Sequence, residues 1–342
     1  MSIWMSIASA VRRLSSSRSP GRLQYCTFCR EARVAYGVGR NSEKLTALAN
    51  SLRVSVRAQG VSSLLRHLNR KLTLLWIAFV VFALPSRAEE LKDVEYGRVQ
   101  GERLTLDAHI PDGTGPFRGA ILVHGGGWIA GDKQQYITYL FKPLADAEFV
   151  WISINYRLAP RFAFPAPADD VELAIQYVRK NAARFKIDPT RIALIGESAG
   201  GHLVSYVGAR EKDHEIAAVV SLYGVHDFVA AAVEWKPIPT ELYQLFGISE
   251  VEATNVSRLV EGSPVAFIHK DMPPYLLMHG SKDEDVPYEQ SVEMCKAMKA
   301  IGARCDLVTV EGGVHGMDHW EPHPELHWYK KALVDWLMKT MN

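Results

Sequence analysis

The stretch that begins at Ile192 reads IALIGESAG and ends at Gly200. It joins a short apolar run, typical of a buried strand, to a G-x-S-x-G motif centred on Ser198, and a helical pattern follows as far as Arg210. Glycines permit a sharp turn from strand to helix because no Cβ crowds the chain, so the serine hydroxyl stands clear of the sheet. The motif alone is common, but in this strand–turn–helix setting it predicts an exposed, nucleophilic serine.

Similar apolar runs recur on both sides of this stretch, separated by helical patterns. The runs are Ala120–Val123, Val150–Ile154, Ala217–Val220 and Tyr275–Met278. Runs of this kind are typical of parallel strands buried on both faces, whereas the earlier Arg103–Ile110 alternates as a half-buried strand does. The alternation of β and α patterns predicts a three-layer α/β fold with right-handed crossovers.

One insertion, from about residue 225 to about residue 269, interrupts the alternation. It contains three short helical patterns, at Val229–Val233, Thr240–Phe246 and Glu250–Leu259, and no clear strand. We interpret the insertion as a small cap over the carboxyl ends of the strands, where ligands bind in open α/β sheets.

A glycine-rich loop, HGGGW at residues 124–128, follows the first apolar run. Consecutive glycines let main-chain N–H groups approach a reacting oxygen, so Gly126 and Gly127, with the amide of Ala199, are candidates for an oxyanion hole. A phosphate-binding loop would continue with Lys and Ser or Thr, but Trp128 and Ile129 follow instead. We expect Trp128 to form part of the wall of a substrate pocket.

Two later segments supply the partners that a serine nucleophile needs. The residues HGSKDEDVP, after the last apolar run, contain Asp283 with Glu284 and Asp285 as neighbouring rivals, and GGVHG, after the next strand pattern, contains His315. The order of serine, acid and histidine along the chain is the one found where the nucleophilic serine lies at a strand-to-helix turn. His315 would remove the proton from Ser198, and Asp283 would fix the tautomer of His315.

These motifs, together with NYRLAP at residues 155–160 and Phe164-Pro165-Ala166, resemble the α/β-hydrolases of the hormone-sensitive-lipase-like esterases. The bifunctional acetylxylan/feruloyl esterase-like branch is the most similar, over nearly all of residues 89–342. The resemblance implies a mostly parallel, eight-stranded sheet between helices, with a small cap insertion. It also implies site roles: nucleophile Ser198, acid Asp283, base His315, oxyanion positions Gly126, Gly127 and Ala199, and a loop-orienting role for His124.

The expected function is therefore hydrolysis of carboxylic esters through an acyl-enzyme, with no cofactor. A lipase-like N-terminal helical lid is not expected before the first strand, so we expect short acyl chains, on esters of small molecules or of acetylated or feruloylated carbohydrate. Two alternatives remain open. An arylformamidase-like amidase also carries H-G-G-x-W loops, and a non-catalytic binding protein can share the fold, although such proteins usually lose one of the three residues.

Charge is distributed unevenly along the chain. Residues 1–88 contain 14 Lys and Arg against two acids, whereas residues 89–342 contain 25 basic and 36 acidic residues, a net charge of −11. A body this acidic repels phosphate backbones, which argues against binding to nucleic acid.

The basic leader has the pattern of a targeting segment. Thirteen apolar-type residues, Leu72–Leu84, are too few to span a hydrocarbon core of about 30 Å, which argues against a permanent membrane span. With basic residues before them and small residues after them, they predict a signal peptide at 61–88, cleaved after Ala88, and a secreted or periplasmic protein. Residues 1–60 are interpreted as lying upstream of the true start, at Val61. An organellar transit peptide is the competing interpretation.

Two further features are ambiguous in the sequence. Cys295 and Cys305 either form a disulfide or remain two buried thiols. The alternating His and Glu residues at 319–327 are interpreted as a solvated loop and helix start rather than a metal site, because two prolines interrupt them. The oligomeric state is not predicted.

Overall fold

The computed structural model describes residues 87–342, and eight strands lie in that part of the chain. They are β1 (Glu89–Val99), β2 (Glu102–Ile110), β3 (Phe117–Val123), β4 (Phe149–Ile154), β5 (Ile187–Glu197), β6 (Ala218–Leu222), β7 (Tyr275–Gly280) and β8 (Cys305–Val310). The interpretation of residues 1–60 and the signal peptide expected at 61–88 fall outside the described residues, apart from Arg87 and Ala88.

Ten α-helices accompany these strands in the described range. They are α1 (Phe141–Asp146), α2 (Ala166–Lys180), α3 (Ala182–Phe185), α4 (Ala199–Arg210), α5 (Phe228–Glu234), α6 (Thr240–Phe246), α7 (Val256–Gly262), α8 (Glu289–Ala300), α9 (Met317–Trp320) and α10 (Trp328–Thr340). None of the helices between residues 87 and 342 is long and apolar enough to cross a membrane.

All eight strands form one sheet in the order β1-β2-β4-β3-β5-β6-β7-β8. β2 pairs antiparallel with both β1 and β4, and every other neighbouring pair is parallel. The mostly parallel, eight-stranded sheet expected from the sequence is therefore confirmed. The carboxyl ends of the parallel strands share one edge of the sheet, and the loops that follow them meet there.

The central strands are buried on both faces, as their continuous apolar runs predict. In β3, Ile121 and Val123 belong to one apolar core, while Ala120 and Leu122 belong to a second core on the opposite face. Successive side chains of a strand point to opposite faces, so a strand between two helical layers needs apolar residues at every position.

Two helices differ in their bounds from the sequence patterns. The apolar periodicity of residues 170–185 predicts one helical stretch. The structure has two helices there, α2 and α3, because the chain turns at Asn181, whose side-chain amide donates to the carbonyl of Tyr177. The third helix of the insertion starts at Val256, not near residue 250. Its late start follows from Asn255, whose side chain accepts from the N–H of Glu252 and closes a turn before the helix.

The insertion between β6 and β7 is joined to the rest of the fold by side chains that bind its main chain. Gln290 Oε1, from α8, accepts hydrogen bonds from the N–H groups of His226 and Asp227 at 2.9 and 2.8 Å. Ser263 Oγ accepts from the N–H of Phe228 at 2.9 Å. These buried polar groups fix the first turn of the insertion relative to the sheet.

The two cysteines that the sequence leaves ambiguous form a disulfide between Cys295 on α8 and Cys305 on β8. Both residues are buried. The bond ties a helix on one face of the sheet to the edge strand beside it.

Candidate active site

Ser198 occupies the turn between β5 and α4 with φ 51° and ψ −118°. This conformation is rare for a residue with a Cβ and persists only where the surroundings impose it. The flanking glycines make it possible: a Cβ on Gly196 would lie 2.2 Å from the carbonyl of Gly200, and one on Gly200 would lie 2.1 Å from the carbonyl of Val123. The turn therefore requires glycine at both positions.

His315, in the loop after β8, contacts Ser198 on one side and Asp283 on the other. The Ser198 hydroxyl donates to His315 Nε2 at 2.9 Å, and His315 Nδ1 donates to Asp283 Oδ2 at 2.7 Å. The three residues named as nucleophile, base and acid in the sequence analysis thus form a continuous chain of hydrogen bonds. Glu284 and Asp285 are exposed, and neither carboxylate is bonded to His315 in the described structure.

The buried Asp283 carboxylate is held by its own loop. Its Oδ1 accepts from the main-chain N–H groups of Asp285 and Val286 at 3.0 and 2.8 Å, and its Oδ2 lies 3.3 Å from His279 Nε2. Burial raises the pKa of Asp283, but hydrogen bonds from His279 and His315 outweigh burial and hold the pKa well below its usual range. The acid is therefore ionised at neutral pH.

The pKa of His315 is also set by opposing effects. Burial lowers it, whereas the hydrogen bond to Asp283 and the charge of that carboxylate raise it, and the net shift is upward. An imidazole with this partner accepts a proton from Ser198 more readily than an isolated one would.

The glycine-rich loop has backbone conformations that favour glycine. Gly126 and Gly127 have φ of 96° and 61°, and a Cβ on Gly126 would lie 2.3 Å from the carbonyl of Ala130. Both glycines border the same cavity as Ser198 and Ala199, where the sequence analysis places the oxyanion hole.

His124 supports this loop from beneath. Its Nδ1 donates to the carbonyl of Gly125 at 2.8 Å, and its ring stacks on Tyr156 with centroids 4.3 Å apart. Burial lowers the pKa of His124 to about 4, so the ring is neutral at neutral pH.

Trp128, expected to form part of the pocket wall, is almost fully buried, with 5% of its surface exposed. Its Nε1 donates to His202 Nδ1 at 3.1 Å, and His202 Nε2 donates in turn to the carbonyl of Gly262 at 2.9 Å. Trp128 borders the cavity, but most of its surface connects the glycine-rich loop to α4 and to the insertion.

The cavity at Ser198 has a volume of about 460 Å³. Its wall combines the glycine-rich loop and the serine turn with side chains from the insertion and from the Asp283 loop. Besides His315, the residues outside the two motifs that border it are Ile129, Ala130, Tyr136, Val225, Trp235, Pro239, Glu241, Leu242, Asp285 and Val286.

A family model described as BD-FAE matches residues 106–298, more than half of the chain. The chain belongs to the BD-FAE family. The resemblance to hormone-sensitive-lipase-like α/β-hydrolases inferred from its motifs is confirmed.

Several named relatives of this BD-FAE protein are ester hydrolases. It is 32% identical over 215 residues to the probable carboxylic ester hydrolase LipM of Mycobacterium tuberculosis, covering 58% of this chain and 49% of LipM. The chain spans about half the length of the curated relatives that it matches first.

Solved structures give the same class. A truncated form of a carbohydrate esterase from gut microbiota matches with a TM-score of 0.66 and 27% identity, covering 75% of this chain and 97% of that one. Butyrate-bound esterase Est2 of the Planctomycetes species Thermogutta terrifontis matches with a TM-score of 0.57 and 26% identity, covering 72% and 94%. The expected enzyme class, ester hydrolase, agrees with the names of these proteins.

Two side chains at the site of this BD-FAE protein have no role in the sequence analysis, although both belong to motifs quoted there. His279, at the end of β7, lies against Asp283, and its Nδ1 accepts from the Ser291 hydroxyl at 2.7 Å. Glu197 precedes the nucleophile and is almost fully buried. The only signal in the sequence is a titratable residue at the end of an apolar strand. That signal does not show whether the residue is buried or what it contacts.

Burial raises the pKa of Glu197 to about 7, although the charge of His315, the N–H of Gly125 and the hydroxyl of Tyr223 all lower it. A Cβ on Gly125 would lie 2.1 Å from Glu197 Oε1, so the carboxyl group packs directly against the glycine-rich loop. Glu197 Oε1 has no hydrogen-bond partner among the described residues. The Glu197 carboxyl group therefore supports the glycine-rich loop, and its pKa lies close to neutral pH.

The His and Glu residues at 319–327 have other partners. His319 Nδ1 donates to the carbonyl of His315 at 2.7 Å, and His327 Nε2 donates to the carbonyl of Glu321 at 2.8 Å. Within residues 87–342, no three side chains of the metal-binding types converge.

Proposed function

We propose that this chain is a serine ester hydrolase that cleaves short-chain carboxylic esters through an acyl-enzyme. The observation that carries the proposal is the hydrogen-bonded chain from Ser198 through His315 to Asp283, at a cavity that Gly126, Gly127 and Ala199 also border. A serine with a base on its hydroxyl and a carboxylate on that base is the arrangement that acyl transfer needs.

In the first half of the reaction, Ser198 Oγ attacks the ester carbonyl carbon while His315 Nε2 takes the hydroxyl proton. The negative charge that forms on the carbonyl oxygen is stabilised by the N–H groups of Gly126, Gly127 and Ala199. The imidazolium of His315, stabilised by Asp283, then gives its proton to the departing alkoxide, and an acyl-serine remains.

In the second half, water repeats these steps in the place of the alcohol. His315 removes a proton from the water, the hydroxide attacks the acyl carbon, and Ser198 leaves with the proton that His315 returns. The products are one carboxylic acid and one alcohol, and no cofactor takes part.

The substrate class rests on the cavity and on the relatives. A volume of about 460 Å³ accommodates a short acyl chain. The Thermogutta terrifontis esterase binds butyrate, and the gut-microbiota structure is that of a carbohydrate esterase. Together these support acetyl to butyryl esters, including acetylated carbohydrate, as substrates. Export by a signal peptide cleaved after Ala88 would bring the enzyme to such material.

Labelling with a fluorophosphonate tests the nucleophile directly. We expect mass spectrometry to find the label on Ser198 and on no other serine, and Ser198→Ala to lower kcat for p-nitrophenyl acetate by about 10⁴- to 10⁶-fold. Turnover within tenfold of the native rate in Ser198→Ala, or a label on another residue, would contradict the assignment. Faster cleavage of a formyl-anilide than of an acetyl ester would instead indicate an amidase.

A further inference from the structure

The wall of the Ser198 cavity carries two carboxylates besides the reacting groups. They are Glu241, in the first turn of α6, and Asp285, in the loop that holds Asp283. Within the described residues no Lys or Arg borders the cavity; Lys236 and Lys282, each next to a bordering segment in the chain, are not part of its wall. Apart from the reacting groups, the charged residues that border the cavity are therefore all acidic.

Glu241 stands against the glycine-rich loop. A Cβ on Gly127 would lie 2.9 Å from Glu241 Cγ, so the stem of the side chain covers the loop that borders the reacting carbonyl. Its carboxylate forms no ion pair or hydrogen bond with another residue of the described structure. A charge left without a partner beside a substrate cavity acts on whatever enters it.

Asp285 is fixed by its main chain while its side chain is exposed. Its N–H donates to Asp283 Oδ1 at 3.0 Å, and its carbonyl accepts from Trp235 Nε1 at 2.7 Å. The negative charge of Asp285 is one of the effects that raise the pKa of His315. Its field therefore reaches the imidazole that must hand a proton to the departing alcohol.

We infer that Glu241 and Asp285 give the enzyme a charge preference, so that it takes esters of neutral or positively charged alcohols and rejects esters of negatively charged ones. This inference rests on the proposed function and adds the class of alcohol to it. An anionic alcohol would enter a cavity with two like charges and no cation to pair with. A cationic alcohol, such as one with an ammonium group, is attracted by both.

Three acetate esters that share the acyl group and differ in the charge of the alcohol test the inference. They are acetylcholine, its neutral isostere 3,3-dimethylbutyl acetate, and the sulfonate O-acetyl isethionate. Each kcat/KM is divided by the rate of hydroxide-catalysed hydrolysis of the same ester, which removes differences in leaving-group reactivity. We expect the cationic ester to exceed the neutral one by roughly tenfold and the anionic ester to fall below it by a similar factor at low salt.

Variants assign the effect to the two residues. Glu241→Gln and Asp285→Asn should each reduce the cation-to-anion ratio about three- to tenfold, and the double variant should bring it close to one. Glu250→Gln, which removes an exposed carboxylate that does not border the cavity, is the matched control and should leave the ratio unchanged. Salt at 0.5 M should weaken the native ratio, because it screens exposed charges.

Two outcomes would overturn the inference: equal normalised rates for the three esters in the native enzyme, or a ratio that Glu250→Gln lowers as much as Glu241→Gln does. Either result leaves the proposed function intact as long as the neutral acetate is hydrolysed and Ser198 is labelled. If the neutral acetate is not hydrolysed and Ser198 is not labelled, the proposed function itself fails.

Discussion

Ser198 shows how much of the site depends on the fit of a few backbone atoms. Its positive φ is maintained by contacts that leave no space for a Cβ on Gly196 or Gly200. The conformation carries a free-energy cost of about 1–3 kcal/mol, which the packing around the turn offsets. One added methyl group at either glycine would therefore prevent the turn that positions Ser198.

The choice of acid can be tested by paired amide substitutions. Asp283→Asn should lower kcat for a neutral ester by about 10³- to 10⁴-fold, because the amide favours the wrong tautomer of His315. Asp285→Asn should change kcat only a few-fold, since its carboxylate is exposed and not bonded to His315. Steady-state kinetics on one neutral acetate measures both, and equal losses would contradict the assignment of Asp283.

Glu197 is expected to make the stability of the protein depend on pH. Its pKa is raised to about 7 from an ordinary 4.5, so between those values the folded state keeps a proton that the unfolded chain has released. Stability therefore falls as pH rises from 4.5 to 7, by up to about 3 kcal/mol. Glu197→Gln removes this dependence, so its free energy of unfolding relative to the native protein should improve from pH 5 to pH 8.

Urea denaturation of both proteins at the two pH values measures this difference, with Glu250→Gln as the exposed control. An identical difference at pH 5 and pH 8 would argue against the buried carboxyl as the source.

The charge of Glu197 should also affect the pH dependence of catalysis. Glu197 raises the pKa of His315, so in Glu197→Gln the acidic limb of the profile of kcat/KM against pH should move to lower pH.

At the scale of elements, the central strands β3, β4, β6 and β7 were predictable because each carries a continuous apolar run that is buried on both faces of the sheet. The insertion was predictable as helical, but the start of α7 was not, since it depends on the bonds of a single side chain, Asn255. The break between α2 and α3 at Asn181 escaped prediction for a similar local reason.

The residues of the site also divide into those that the sequence predicts and those that it does not. Ser198, Asp283 and His315 are recognisable because turn glycines and strand ends mark them in the sequence. His279 and Glu197 are not, because their roles depend on contacts that the motifs do not reveal: with Asp283 and Ser291 for His279, and with Gly125 for Glu197. A buried polar group is only identified as functional once its neighbours are known.

The disulfide should stabilise the junction of α8 and β8. Closing a loop of this length in the unfolded chain is worth about 3 kcal/mol, so the Cys295→Ala/Cys305→Ala variant should unfold at a lower temperature than the oxidised protein. Thermal unfolding with and without a reducing agent provides the check. The reducing agent should lower the Tm of the native protein and leave that of the double variant unchanged; a native Tm insensitive to reduction would contradict the expectation.

For the whole molecule, the size of the cavity sets the range of acyl chains. Each methylene buried is worth about 0.8 kcal/mol, but the wall at Ser198 includes Tyr136, which is 42% exposed, and the exposed Asp285. A long chain would leave its far end in water and gain nothing there. We expect kcat/KM to peak among acetyl to butyryl esters and to become small beyond about eight carbons.

Specificity constants for p-nitrophenyl acetate, butyrate, octanoate and palmitate measure this range. Ser198→Ala supplies the background rate for each ester. A maximum at octanoate or longer would show that the insertion encloses a deep apolar tunnel and would restore a lipase-like interpretation.

The order of the strands has a consequence for the life of the nascent chain. Ser198 follows β5, Asp283 follows β7 and His315 follows β8, and these strands add to one side of the sheet in the order in which they are synthesised. Translation runs from the N-terminal end, so the serine is made first and its base last. A chain halted before β8 contains Ser198 but lacks His315, the base that removes its proton in the proposed mechanism. Under the proposed mechanism, unfinished copies are chemically silent, and the cell that makes the enzyme is exposed to esterase activity only from completed molecules.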